Sequence, residues 1–199
     1  MKILFLRHGE TIWNIESRLQ GCQDIPLTDN GMEQIRITGK HLADSGLHVD
    51  HILSSPLQRA HKSAEIIAQA LDYPIDAITT SPLFLERSFG ECEGFAYNEA
   101  IAKYPDGKYP GMETLDELYK RTAKAISYLE ENYSDQTILI ASHGAFIKAI
   151  LGVVTHGKVT YFDKDVWIEN GTYCLLQKIG DDWKVSVHSR SSEFVPKYL

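Results

Sequence analysis

Two arginines, two histidines and a glutamate, each near the end of an apolar run, are the residues best suited to chemistry in this chain. Arg7 and His8 follow KILFL, Arg59 follows HILSSPLQ, Glu86 follows SPLFL, and His143 follows TILIAS. A phosphate monoester carries nearly two negative charges at neutral pH, and two guanidinium forks match its oxygens bidentately. Arg7 and Arg59 suit that clamp. A histidine beside them is held toward its neutral form, because nearby positive charge disfavours protonation, and a neutral ring nitrogen can attack phosphorus. His8 fits the nucleophile. His143 and the amide of Asn14 can donate hydrogen bonds to the equatorial oxygens, where charge develops. A departing alkoxide needs a proton, which Glu86 can supply as a general acid.

Residues so far apart in sequence need a scaffold that gathers them. Lys2 to Leu6, His51 to Leu53 and Thr137 to Ala141 read as strands, with a short one expected near Ile75 to Ile78. Leu57, Ala60, Ala64, Ile67 and Leu71 recur at helical spacing behind Ser55-Pro56, which reads as an N-cap followed by a first-turn proline. Leu115, Leu118, Thr122, Ile126 and Leu129 repeat that spacing. Thr172 to Ile179 and Trp183 to His188 flank Gly180-Asp181-Asp182 as a hairpin whose second strand is expected at a sheet edge. This order predicts one domain, 1–199, of the α/β class: a three-layer αβα sandwich with a mainly parallel sheet and an antiparallel C-terminal hairpin. The candidate residues then fall at strand carboxyl ends, where open α/β sheets bind ligands. Lys103 to Met112 (KYPDGKYPGM) reads as a mobile loop. Tyr97, Tyr104, Tyr109 and Met112 either cover the pocket or pack within the 97–112 segment.

Composition narrows the partners. The 199 residues carry a net charge of −7, which argues against nucleic acid and against an anionic membrane surface, so the anion site is expected as a local positive island. No run approaches the length of a membrane span and no secretory leader is evident, which predicts a cytoplasmic protein. Cys22, Cys92 and Cys174 show no CxxC pairing and read as free thiols. Oligomeric state has no signature here.

The segments RHGETIWN (7–14), RLQGCQDIPLTDNG (18–31), SSPLQRAHKSA (54–64), ERSFGECEG (86–94) and SHG (142–144) together resemble the histidine phosphatase superfamily, in its phosphoglycerate-mutase-like branch. The resemblance implies a covalent phosphohistidine on His8 and a phosphate pocket of Arg7, Asn14, Arg59 and His143. It also implies Glu86 as proton donor, Gln20 and Gly21 on the substrate side, and no metal or organic cofactor. The expected activity is hydrolysis of small-molecule phosphate monoesters. Cys92 stands where such enzymes commonly carry an aromatic residue, which leaves the pocket rim open. The stretch from Glu91 to Lys120 contains no arginine to clamp a carboxylate, so water is favoured over a second substrate as phosphoryl acceptor.

Other readings stand beside this one: a cofactor-dependent mutase, or a non-catalytic phospho-ligand-binding protein on the same fold. A metal-dependent hydrolase would have to rest on the local cluster His48-Val49-Asp50-His51, which has no apparent third ligand and enters a strand from the wrong end. If Glu86 is not the acid, Glu10 and Glu113 are the next carboxylates to test. The leaving group is open between a sugar phosphate, a phosphoglycerate-like acid and a nucleoside phosphate.

Overall fold

Side chains alternate between the two faces of a strand, so one strand can serve two cores. The structure is a computed structural model that describes residues 1–199, the side chain of Ser191 excepted. Its strands are β1 (Lys2–Arg7), β2 (His51–Ser54), β3 (Thr79–Thr80), β4 (Thr137–Ser142), β5 (Tyr173–Ile179), β6 (Asp182–His188) and β7 (Pro196–Tyr198). Its helices are α1 (Ile12–Ile15), α2 (Asp29–Asp44), α3 (Gln58–Ala70), α4 (Tyr97–Lys103), α5 (Leu115–Asn132) and α6 (Gly144–Val154). Ile3 and Phe5 of β1 pack with Leu118, Ile126 and Leu129 of α5 and with Phe146 and Ile150 of α6. Leu4 and Leu6 turn the other way, onto Ile35 and Leu42 of α2 and Ala64 and Ile67 of α3. All four β1 side chains are fully buried.

The expected αβα sandwich is borne out, with strands in the order β3-β2-β4-β1-β5-β6-β7. The first four are parallel, and β5, β6 and β7 add antiparallel strands. β1 and β4 are neighbours, yet the chain leaves β1 toward the α2 face and β4 toward the α6 face. Such a divergence opens a crevice at the strand carboxyl ends.

Three local expectations change. Ile75 to Ile78 is not a strand: Ile75–Ala77 forms a single 3-10 turn behind Pro74, and only Thr79–Thr80 pair with β2. The proline fixes φ and gives no N–H to a sheet ladder. Ser55 is not the cap of α3, whose N-cap is Leu57; the N–H of Gln58 is met instead by the Asp24 carboxylate at 2.8 Å. Finally, β6 is not outermost, because Pro196–Tyr198 pairs with it as β7, and a proline is tolerated on such an edge.

Candidate active site

β1 ends by delivering His8 into the crevice, its main-chain N–H bonded to the carbonyl of Ser142 at the end of β4. The His8 ring is buried, and its Nδ1 lies 2.6 Å from the carbonyl oxygen of Gly9. A carbonyl only accepts, so Nδ1 carries the proton and the lone pair sits on Nε2. Burial first, then the charges of Arg59 and Arg7, hold His8 well below the usual histidine range. The ring is neutral at pH 7, with its basic nitrogen fixed by geometry.

The two guanidiniums are oriented by main-chain carbonyls. Arg59, fully buried, donates from Nη1 to Gln23 at 2.6 Å and from Nη2 to Gly21 at 2.8 Å. Arg7 donates from Nη1 to Ile168 at 2.6 Å, and the ring of Trp167 lies 5.7 Å from its guanidinium carbon. Burial lowers both, Arg7 to about 10, with Glu86 opposing the shift in each case. The Nε atoms of both arginines are buried without a partner, as are Oε1 of Gln20 and Nδ1 of His143. Native cores rarely leave such groups unmet, so their concentration here marks the crevice as built for a polar ligand.

His143 leads into α6 and is fully buried. Its ring meets the His8 ring edge to face, with centroids 5.2 Å apart, and its Nε2 is 2.8 Å from the hydroxyl of Ser55. Burial, with Arg59, His8 and Arg7 adding to it, keeps His143 well below the usual range.

Asn14 sits in α1 with Oδ1 accepting from the N–H and hydroxyl of Thr11 and from the amide of Asn170. Three donors identify that atom as the oxygen and leave both amide N–H groups of Asn14 for a ligand. Gln20 and Gly21 line the same space as Asn14. Gly21 has φ +50°, and a Cβ there would come within 2.0 Å of the Glu93 carboxylate, so this position is closed to side chains. Glu93 uses that closeness: it accepts from the N–H groups of Cys22 and Phe89 and ties those two segments together.

Glu86 is where main-chain donors converge. Its Oε1 accepts from Arg87 at 2.9 Å and Phe146 at 3.0 Å, and its Oε2 accepts from Ala145 at 3.2 Å. The carboxylate therefore closes the first turn of α6 from outside the helix. Neither alternative carboxylate reaches the cavity: Glu10 accepts from Thr28 and Asn30, and Glu113 forms a two-pronged pair with Arg121.

These side chains enclose two joined spaces. A cavity of about 130 Å³ is lined by Arg7, His8, Asn14, Gln20, Gly21 and Arg59; one of about 350 Å³ opens beside it, and the two share Arg7, Leu19, Glu86 and Phe89. The structure thus gathers all the expected residues except that His143 stands behind His8, outside both linings. Residues not anticipated are Arg18 and Phe89, and in the larger cavity Lys148, Tyr161, Trp167 and Ile168. Lys148 carried a signal, as the one charge in the apolar run AFIKAILGVV. Tyr161 to Ile168 lie in irregular chain with none. Cys92 is buried and lines neither space; the rim aromatic is Phe89. Tyr97, Tyr104, Tyr109 and Met112 stay out of both linings, with Tyr104 against Tyr109 and Met112 under Arg87.

Among the described residues, no three His, Cys, Asp or Glu side chains converge to hold a metal ion. His48 instead pairs with Asp50 at 3.3 Å, and His51 packs edge-on to Tyr133. Among the described residues, no helix is long and apolar enough to cross a membrane.

Comparison with known proteins agrees with this geometry. Residues 3–190 match the family described as histidine phosphatase superfamily (branch 1). The Bacillus subtilis (strain 168) protein named Uncharacterized phosphatase PhoE is 40% identical over 196 residues, covering 97% of this chain and 98% of that one. The Salmonella typhi protein named Probable phosphoglycerate mutase GpmB is 32% identical, covering 94% and 89%. Among solved structures, Bacillus stearothermophilus YhfR shares the fold at a TM-score of 0.83 and 24% identity, covering 94% and 95%. A phosphoserine phosphatase from Entamoeba histolytica, solved as a mutant with phosphoserine, follows at 0.78 and 26%, again covering 94% and 95%. The expected enzyme class, phosphatase, is borne out, and this chain belongs to branch 1 of the histidine phosphatase superfamily.

Proposed function

We propose that the chain hydrolyses small-molecule phosphate monoesters through a phosphohistidine on His8, without a metal or organic cofactor. The observation that carries this reading is the fixed tautomer of His8: Nδ1–H is held by the Gly9 carbonyl, so Nε2 presents a lone pair beside two guanidiniums. Nε2 bonds to phosphorus as the ester P–O bond breaks, and the departing alkoxide takes a proton from Glu86. In the second step Glu86 accepts a proton from water, the water oxygen bonds to phosphorus, the N–P bond breaks, and inorganic phosphate leaves. Arg7, Arg59 and the free amide of Asn14 stabilise the charge on the transferring group, with His143 adding a donor from behind His8. Gln20 and Gly21 border the substrate.

A mutase has less support, because the arginine next to Glu86 is already engaged. Arg87 donates to the Glu113 carbonyl and the Met112 sulfur and faces Phe89 and Tyr161, so that guanidinium is not free for a phosphoglycerate carboxylate. A cytoplasmic setting suits three free cysteines. The acidic chain gives no basic footprint for nucleic acid or membrane surfaces.

The test is a rapid quench into alkaline detergent during turnover of an ester radiolabelled in its phosphate, the trapped protein then being split between acid and alkali. An alkali-stable, acid-labile label is expected on the wild type and none on His8→Ala. Equal labelling of the two would refute the phosphohistidine.

A further inference from the structure

The larger cavity, of about 350 Å³, must hold whatever the phosphate leaves behind, and its walls are specific. Phe89, Tyr161 and Trp167 give three aromatic faces, with Leu19 and Ile168 adding aliphatic surface. Only three lining residues bear charge. Arg7 serves the phosphate end, and Glu86 is held by three main-chain N–H groups. That leaves Lys148.

Lys148 lies one helical turn beyond Gly144, which itself abuts Arg7: a Cβ on Gly144 would stand 3.3 Å from the Arg7 Nε. Four residues of α-helix rise about 6 Å, close to the span of one aromatic ring with its substituents. The Lys148 ammonium donates one hydrogen bond, to the main-chain carbonyl of Asp163 at 2.9 Å, leaving two of its three N–H groups. It belongs to none of the ion pairs among the described residues. Partial burial lowers it from the usual lysine range, with the more distant Asp163 carboxylate opposing, so an arriving anion would be met by a partly desolvated cation.

Resting on the phosphatase reading above, we infer that the preferred leaving group is a flat, ring-bearing hydroxy acid. Its ring lies among Phe89, Tyr161 and Trp167, and its carboxylate meets Lys148. A single carboxylate fits better than a second phosphate, because one ammonium, with Glu86 and Asp163 nearby, would leave a dianion uncompensated. A Lys148 that only pins the 161–168 segment through the Asp163 carbonyl would read no charge on the substrate.

The experiment compares kcat/KM for phenyl phosphate, 3-carboxyphenyl phosphate, 3-(aminomethyl)phenyl phosphate and an acyclic carboxyalkyl phosphate. The wild type should favour the carboxyphenyl over the phenyl ester by about tenfold or more, the scale of one good charged contact. Lys148→Met should bring that ratio to about 1, and Lys148→Glu should turn the preference toward the aminomethyl ester. Trp167→Ala should reduce kcat/KM for the carboxyphenyl ester more than for the acyclic one. A wild-type ratio near 1, or one that Lys148→Met leaves in place, would overturn the inference while the phosphatase reading stood. Failure of the wild type to turn over any ester would overturn both.

Discussion

The hydroxyl of Ser55 stands 2.8 Å from Nε2 of His143, and neither residue reaches solvent. The same hydroxyl oxygen accepts, at 3.4 Å, from the N–H of Leu57 and keeps a proton that it can give to Nε2. A neutral His143 that takes it carries its own proton on Nδ1, the ring nitrogen that has no other partner. Ser55 thus acts through His143, as a positioning residue. Ser55→Ala should lower kcat about tenfold with little change in KM, Ser55→Thr should recover most of it, and His143→Ala should cost about 10²-fold. Nitrogen NMR of the imidazole should show mixed tautomers in Ser55→Ala. An unchanged tautomer and kcat would remove Ser55 from the mechanism.

Proton donation matters in proportion to the basicity of the leaving oxygen. Glu86→Gln should slow phosphoenzyme formation from an alkyl phosphate far more than from p-nitrophenyl phosphate, whose phenolate departs with little help. Its second step should be slow with either ester, so a burst of nitrophenolate should precede slow turnover in rapid-quench traces. Equal slowing of both esters with no burst would assign Glu86 to closing the first turn of α6 and nothing more.

Arg59→Lys is expected to behave as a loss of function. An ammonium cannot reproduce the planar fork that meets the carbonyls of Gln23 and Gly21 while facing the cavity. Both esters should lose about 10²-fold in kcat/KM, in contrast to the selective effect at Glu86. Steady-state kinetics on the two substrates separates the cases.

Burial of two neutral histidines makes stability depend on pH in a definite direction. His8 and His143 are held well below 6.5 in the folded chain, whereas the unfolded chain protonates them near 6.5. Between those limits the unfolded state binds more protons, so stability falls as the pH drops below about 6.5. Each ring contributes up to about 1.4 kcal/mol per pH unit. Urea unfolding at pH 8 and pH 5.5, in buffers free of phosphate, should show this loss, and it should shrink in the double variant His8→Asn, His143→Asn.

Exhaustive EDTA treatment should leave turnover intact, while vanadate should inhibit by imitating five-coordinate phosphorus next to His8. Activity lost on chelation and restored by one divalent ion would revive a metal-dependent route.

The strand ends were legible because apolar runs such as KILFL and TILIAS give way at once to charged or polar residues, and Arg7, His8 and His143 mark where. Side chains that work through another were not legible. Ser55 has the sequence context of a helix cap, and only the adjacency of β2 and β4 turns it toward His143. Ile75 to Ile78 misleads because apolar character does not separate a strand from a 3-10 turn, and Pro74 decided the matter. The wall from Tyr161 to Ile168 has no periodicity, so nothing in its sequence announces that it faces the leaving group.

That wall has two halves with different freedom to change. Tyr161 and Trp167 offer side chains to the cavity, whereas the next residues grip the nucleophile strand. The Ile168 carbonyl holds Arg7, the Asn170 amide reaches the carbonyl of His8 and the Oδ1 of Asn14, and the Gly171 N–H reaches the carbonyls of Arg7 and His8. Within one short stretch, recognition of the leaving group stops and alignment of the phosphate clamp begins. Evolution or an engineer can therefore trade the segment up to Trp167 for another and acquire new substrates with the reaction centre intact. A splice placed three residues later would move the arginine and the histidine together.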